Sequence, residues 1–311
     1  MTIKDIYNLA IKKGIENDFR GEEEISYMME RRKRAYKKMP KNKKEYFDEE
    51  KLSNPFSDTR VLYGDTDKEV KKILAGIDID GDELLYAKQR GDIDLVISHH
   101  PRGVGLPGID DVMELQIDML HQYGVPVNVA EKLLKKRIEE VSRSIAPGNH
   151  NRAVDMARLL DIPFMCIHTP ADNMVARFVE KKIEEKNPFL VEDVMNALLE
   201  IEEYQSAKKM GAGPRMFVGS ENNRAGNVVL TEITGGTEGS PQIYEKLSQA
   251  GAGTIIGMHM SDKHREEAEK AHINVVIAGH MSSDSIGINL FLDELKGVET
   301  IPCSGLIRVS R

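Results

Sequence analysis

Cysteine is nearly absent from this chain of 311 residues: Cys166 and Cys303 are the only two, and neither lies in a C-x-x-C pair. A disulfide framework is therefore excluded as the support of the fold, and the usage is that of a reduced cytosolic protein. No apolar run approaches the roughly eighteen residues that a membrane helix requires. The opening MTIKDIYNLAIKKG alternates apolar with charged residues, unlike a signal peptide. A soluble, cytoplasmic protein is the expectation. Also missing are the G-x-x-x-x-G-K-[ST] phosphate loop, the G-x-G-x-x-G dinucleotide fingerprint and the G-x-S-x-G nucleophile elbow. Triphosphate hydrolysis, nicotinamide chemistry and serine hydrolysis thereby lose their usual support. Positive charge is in deficit, 43 Lys plus Arg against 51 Asp plus Glu for a net charge of −8, which argues against broad attraction to nucleic acid or an anionic membrane.

What is present is globular in kind. Hydrophobic residues make up 40% and charged residues 30%, and the length suits one large domain or two of ordinary size. Residues 1–59 read as a helical, polar N-terminal extension, opened by a capping box of Thr2 and Asp5 and by Ile3, Ile6, Tyr7, Ala10 and Ile11 at helical spacing. Within it, nine of the fourteen residues from Arg31 to Lys44 are basic, a solvated face flanked by acidic residues that weaken its field. From residue 60 the pattern is short apolar runs alternating with amphipathic segments, which predicts an α/β fold of two linked domains with mostly parallel sheets. The clearest unit is a strand at Ile73–Ile79, a helix at Gly81–Arg90 and a strand at Ile93–Ser98. Further runs lie at Val125–Val129, Ile162–Ile167, Met216–Gly219, Asn227–Ile233, Thr254–Met258, Asn274–Ala278 and Leu306–Val309. A soft boundary divides a first lobe, 60–200, from a second, 201–311, whose C-terminal elements return to complete the site.

Three motifs carry chemistry, each at the end of an apolar run, where parallel sheets place their ligands. The first is Ser98-His99-His100-Pro101, two adjacent imidazoles that extended backbone turns to different sides. The second is His168-Thr169-Pro170-Ala171-Asp172, in which Asp172 suits a bridging position and His168 a place behind the ligands. The third is Gly279-His280-Met281-Ser282-Ser283-Asp284; a helix starting there brings His280 and Asp284 onto one face, four residues apart. Together His99, His100, Asp172, His280 and Asp284 suit two divalent ions per chain, and the mixed imidazole and carboxylate set favours Zn, Fe, Mn, Ni or Co. His259 and His264 flank Asp262 after another run and are candidates for outer groups or general acids. Gly235, Gly236 and Gly239, before a helix near Pro241, either present N–H groups to an anion or form a plain turn.

In their order and spacing the three motifs resemble the Nif-three-like proteins, also labelled GTP cyclohydrolase I type 2 homologues, from about Thr59 to Arg311. The resemblance implies a dinuclear metal centre inside a ring-shaped homohexamer, with ligands falling on His99, His100, Asp172, His280 and Asp284. Three departures stand out. Asp284 replaces a Glu and is one methylene shorter, which leaves open whether it reaches both ions. The second motif has Pro170-Ala171 where the family has Asn-Leu. The stretch from His100 to Asp172 is longer, and residues 1–59 are additional. The functional expectation is a metal-dependent hydrolase acting on a small molecule, cyclohydrolase-like on a nucleotide or heterocycle. The competing reading is a metal-binding or metal-delivering ring that works through protein partners.

Overall fold

The structure is a computed structural model describing residues 1–311. Its nine strands form two sheets. The first joins β1 (Arg60–Tyr63), β2 (Lys72–Gly76), β3 (Leu95–Ser98), β4 (Phe164–Cys166) and β9 (Glu299–Cys303) in the order β1-β4-β3-β2-β9. The second joins β5 (Arg215–Val218), β6 (Asn227–Leu230), β7 (Ala252–Gly257) and β8 (Asn274–Ile277) in the order β5-β8-β7-β6. Pairing is parallel throughout except at the edge strands β1 and β5, which run antiparallel to β4 and β8. The mixed α/β fold with mostly parallel sheets is thus what the alternation of runs predicts. All four residues of β3 and of β8 are buried, as expected of central parallel strands covered on both faces.

Local chemistry sets the element ends. The Thr2–Asp5 capping box forms, with Asp5 N–H donating to Thr2 Oγ1 at 3.1 Å and Thr2 N–H to Asp5 Oδ2 at 2.8 Å. Helix Gly81–Arg90 stops at Gly91, whose φ of +73° is the left-handed conformation glycine adopts without strain. Two apolar runs are not strands. At Val125–Val129, Pro126 leads into helix Val127–Ile145, because its fixed φ suits a helix entry. Leu306–Val309 forms no regular element, and the preceding segment β9 pairs with β2 instead.

Two helices form a central layer between the sheets. Thr169–Lys186 follows β4 and His280–Leu292 follows β8. Ala171, Met174, Ile288 and Phe291 join Ile73, Ile97 and Met165 in the core under the first sheet; Val175, Val179 and Ile286 join Leu230, Ile256 and Val276 under the second. The two helices approach so closely that a Cβ on Gly287 would lie 2.4 Å from the Ala171 carbonyl oxygen. The long stretch after His100 crosses to the second sheet, where Ile109, Met113, Leu120 and Leu134 pack with Val229, Tyr244 and Val275. Burying each such large aliphatic side chain contributes about 1.5–3 kcal/mol. The N-terminal helix Ile3–Glu16 packs on Thr169–Lys186, where Asn173 Nδ2 donates to the Gly14 carbonyl at 3.1 Å.

Candidate metal centre

The three motifs converge where the C-terminal ends of the two sheets meet. Beyond β3, the ladder continues through His99 N–H to Gly76 O at 2.9 Å and His100 N–H to Ile77 O at 3.0 Å, which fixes both backbones. His99 is fully buried, and its Nδ1 lies 3.0 Å from the Ile167 carbonyl. A carbonyl only accepts, so Nδ1 carries the hydrogen and the Nε2 lone pair faces inward. His100 repeats the device with Nδ1 2.9 Å from Asp78 Oδ1, and His168 with Nδ1 2.7 Å from Asp58 Oδ2. An acceptor behind each ring that leaves the other nitrogen free is the arrangement of metal-binding histidines.

The carboxylates arrive from the central helices. Asp172 sits in the first turn of its helix and Asp284 at the fifth residue of the other, each four residues after a histidine, His168 and His280. His99 Nε2 lies 3.3 Å from Asp172 Oδ1 and 3.5 Å from Asp284 Oδ1. On the other side, Asp284 Oδ2 lies 3.3 Å from His100 Nε2 and 3.6 Å from His280 Nε2. His168 Nε2 is 3.6 Å from Asp172 Oδ2. His99 Nε2, Asp172 Oδ1 and both Asp284 oxygens are buried without a hydrogen-bond partner. Two donors held about 2.0–2.2 Å from one tetrahedral ion stand about 3.3–3.6 Å apart. The orphaned atoms therefore have the spacing of ligands, and the residues present fit divalent metal. The donor atoms group as His99, His168 and Asp172 on one side and His99, His100 and Asp284 on the other.

Electrostatics point the same way. Burial works against a charge on His99, but Asp284 and Asp172 outweigh it and hold the imidazole well above its ordinary value. His100 is likewise raised against its burial, by Asp284 and Asp78. Burial opposes charge on Asp284, yet His99 and His100 hold it far below the usual carboxylate range. His280 is lowered by burial, despite the neighbouring Asp284. The buried carboxylates thus draw positive charge onto the facing imidazoles, and a metal cation can take the place of those protons.

The structure thus brings His99, His100, Asp172, His280 and Asp284 together, and Asp284, short as it is, offers one oxygen to each side. His168 stands within the cluster, nearer than the position behind the ligands that the sequence suggested. His259, after β7, lies beside the centre with its ring 5.1 Å from that of His280. His264 turns away, Nε2 to the Gly239 carbonyl at 2.9 Å and Nδ1 to Ser261 Oγ at 2.7 Å. The side chain of Asp262 is 98% exposed and takes no part. The glycine turn encloses an internal carboxyl group: Gly239 N–H donates to Glu232 Oε1 at 3.2 Å, and Gly235 and Gly236 both adopt φ of +87°. Asp58 and Asp78 were missed by sequence reasoning. Asp78 carried a signal, since it follows β2 at the same sheet edge; Asp58 carried none, standing 110 residues from the histidine it holds.

No family model matches the chain, and no curated protein does. Solved structures do. A NIF3 superfamily protein from Sphaerobacter thermophilus is similar at 28% identity and a TM-score of 0.74, over 82% of this chain and 94% of that one. Reduced HcgD from Methanocaldococcus jannaschii aligns at 16% identity and a TM-score of 0.48, over 84% of this chain and 94% of that one. A hypothetical protein from Staphylococcus aureus aligns at 14% identity and a TM-score of 0.45, over 82% and 92%. With the first likeness spanning most of both chains, and the strand-end motifs in place, this protein has the Nif-three-like fold.

Proposed function

We propose that the protein is a dinuclear metal-dependent hydrolase. In this reading His99, His168 and Asp172 would hold one ion and His100 and His280 the other, with Asp284 offering an oxygen to each side. The observation that carries it is the set of buried, partnerless donor atoms at ligand spacing on both sides of one carboxylate. Divalent ions bound by these residues would supply Lewis-acid chemistry. The chain's own residues orient and gate. Ile167 O, Asp78 and Asp58 fix the tautomers and aim of His99, His100 and His168. Thr169, donating from Oγ1 to Asp58 Oδ2 at 2.6 Å, holds that carboxylate in turn. The His99 side is sealed, whereas the His280 side chain is 41% exposed, so substrate would enter over His280 and His100. His259 stands at that mouth, its ring 5.1 Å from that of His280.

The resemblance directs the choice of substrate towards a nucleotide or heterocyclic ring and implies a ring of six copies, while the cysteine usage suggests the cytoplasm. The test is elemental analysis of protein purified without added metal, followed by a screen of the loaded protein against purine nucleotides, phosphoesters and amides. About two ions per chain and hydrolysis in one class are expected. Full metal content in a folded His99→Ala/His100→Ala variant would sink the assignment. Sedimentation velocity separately tests the hexamer. An exchangeable coordination position favours the enzyme over a metal-delivering ring.

A further inference from the structure

Beyond His259, away from the centre just described, lies a second cluster. Glu232 follows β6 and Glu238 lies in the glycine turn, and a donor atom of each stands within 4.8 Å of one another and of one from His259. Glu232 is 6% exposed and is held on a φ of +60°, which turns its carboxylate inward. Neither carboxylate is paired with a lysine or arginine. Arg137, the nearby cation, spends its Nε–H on the Glu238 backbone carbonyl at 2.9 Å. The Ser261 N–H donates to Glu238 Oε1 at 2.5 Å, and Gly239 N–H to Glu232 Oε1, so each carboxylate keeps an oxygen free of backbone donors.

His264 is the remaining neighbour, 3.3 Å from Glu238 and 4.0 Å from Glu232. Its Nε2–H is taken by the Gly239 carbonyl, and Ser261 Oγ stands 2.7 Å from Nδ1 as a hydroxyl donor, which satisfies a neutral ring. The cluster therefore has one buried and one half-buried acid, neither paired with a cationic side chain. An independent sign comes from Tyr244. Its side chain is fully buried, its ring lies edge-on to His264 at 5.8 Å, and its hydroxyl, in the field of both carboxylates, has no hydrogen-bond partner. A buried hydroxyl left unpaired is costly, so a water or ion-bound group belongs against it.

We propose that Glu232, Glu238 and His259 form a further divalent-cation site, distinct from the dinuclear centre, with the Tyr244 hydroxyl bonded to a water of the ion. Two carboxylates balance a dication, and a donor set of two oxygens and one imidazole suits Mn, Fe, Co or Zn. None of its ligands belongs to the centre proposed above, so either site can fail without the other. The ion would sit next to His280 at the mouth and draw anionic substrate towards it.

The experiment is equilibrium dialysis of the stripped full-length protein against Mn²⁺, with ions counted per chain. It compares wild type, Glu232→Gln/Glu238→Gln, His259→Gln and His99→Ala/His100→Ala. Relative to wild type, the first two variants should each lose one ion per chain, and that ion should persist in the third. An unchanged ion count and affinity in folded His259→Gln overturns the site, as does the absence of any Mn²⁺ binding by wild type. His259→Gln changes no buried carboxylate, so it decides the matter if the double glutamine variant fails to fold.

Discussion

Replacing Glu232 with Gln should remove a loss of stability that wild type undergoes as pH rises. Burial, reinforced by Glu238, pushes the Glu232 carboxyl up from 4.5 to about 8. A carboxyl raised on folding binds its proton more tightly in the native chain. Its contribution is therefore fully retained below pH 4.5, is lost as pH rises from 4.5 towards 8, and changes no further above that. The interval of 8 minus 4.5, at about 1.36 kcal/mol for each tenfold change, sets a ceiling of about 5 kcal/mol. Glutamine keeps the shape and still accepts from Gly239 N–H, but never ionises. The measurement is urea unfolding of both proteins with chelator present, at intervals from pH 4.5 to 8.5. The variant should match wild type within about 1 kcal/mol at the acid end and exceed it by about 2–5 kcal/mol at the alkaline end. Adding Mn²⁺ should then stabilise wild type more than the variant, because only wild type has the carboxylate that balances the ion. A difference that stays constant from pH 5 to 8, or that favours wild type increasingly in chelator, would refute the account of Glu232.

Asp58→Asn should lower metal affinity about 10–100-fold, because it loosens the grip on His168 without removing a ligand; competition with a chromogenic chelator measures it. Gly287→Val should destabilise the fold by about 1–3 kcal/mol or more, since its Cβ would meet the Ala171 carbonyl, and thermal melting with metal analysis should show lower stability and lower occupancy together. Thr2→Ala should cost about 0.5–2 kcal/mol through loss of the helix cap and leave metal content unchanged, which makes it a control for global destabilisation. Metal occupancy should fall with pH because imidazole ligands must be neutral to bind, and since Asp284 holds His99 and His100 above the ordinary imidazole value the loss should set in before pH reaches about 6.5; occupancy independent of pH down to about 4 would exclude histidine ligation.

The centre was legible because its donors are chemically conspicuous and follow apolar runs: Ser98-His99-His100 closes β3, and Gly279-His280 opens a helix after β8. What lay beyond reach depended on distance in the chain or on packing. Asp58 belongs to the segment read as a mere extension, and only the pairing of β1 with β4 brings it to His168. Whether Asp284 could serve both sides turned on how near its helix comes, which Gly287 decides through its contact with Ala171. Helix Thr169–Lys186 shows a weak stripe because its first turns are buried against both sheets, and burial on all sides erases the amphipathic signal. At Val125–Val129 and Leu306–Val309, apolar composition over four or five residues did not distinguish a strand from a helix entry or an irregular segment.

The same packing ties the site to the stability of the whole chain. Asp172 and Asp284 are carried by two helices that touch at Ala171 and Gly287, one starting from each sheet. The N-terminal helix grips the first of these through Asn173, whose Oδ1 also accepts from Thr234 Oγ1 at 2.6 Å, beyond β6 of the second sheet. Four carboxylate and imidazole atoms are buried there without partners, and leaving them so costs free energy that packing elsewhere must offset. Ions bound between these helices would convert that cost into a bond across the two sheets, so binding energy would become folding energy. The extension, the central helices and the two sheets therefore act on the centre as one unit, and changes at Gly287 or Asp58, neither of which is itself a proposed ligand, reach the ions through it.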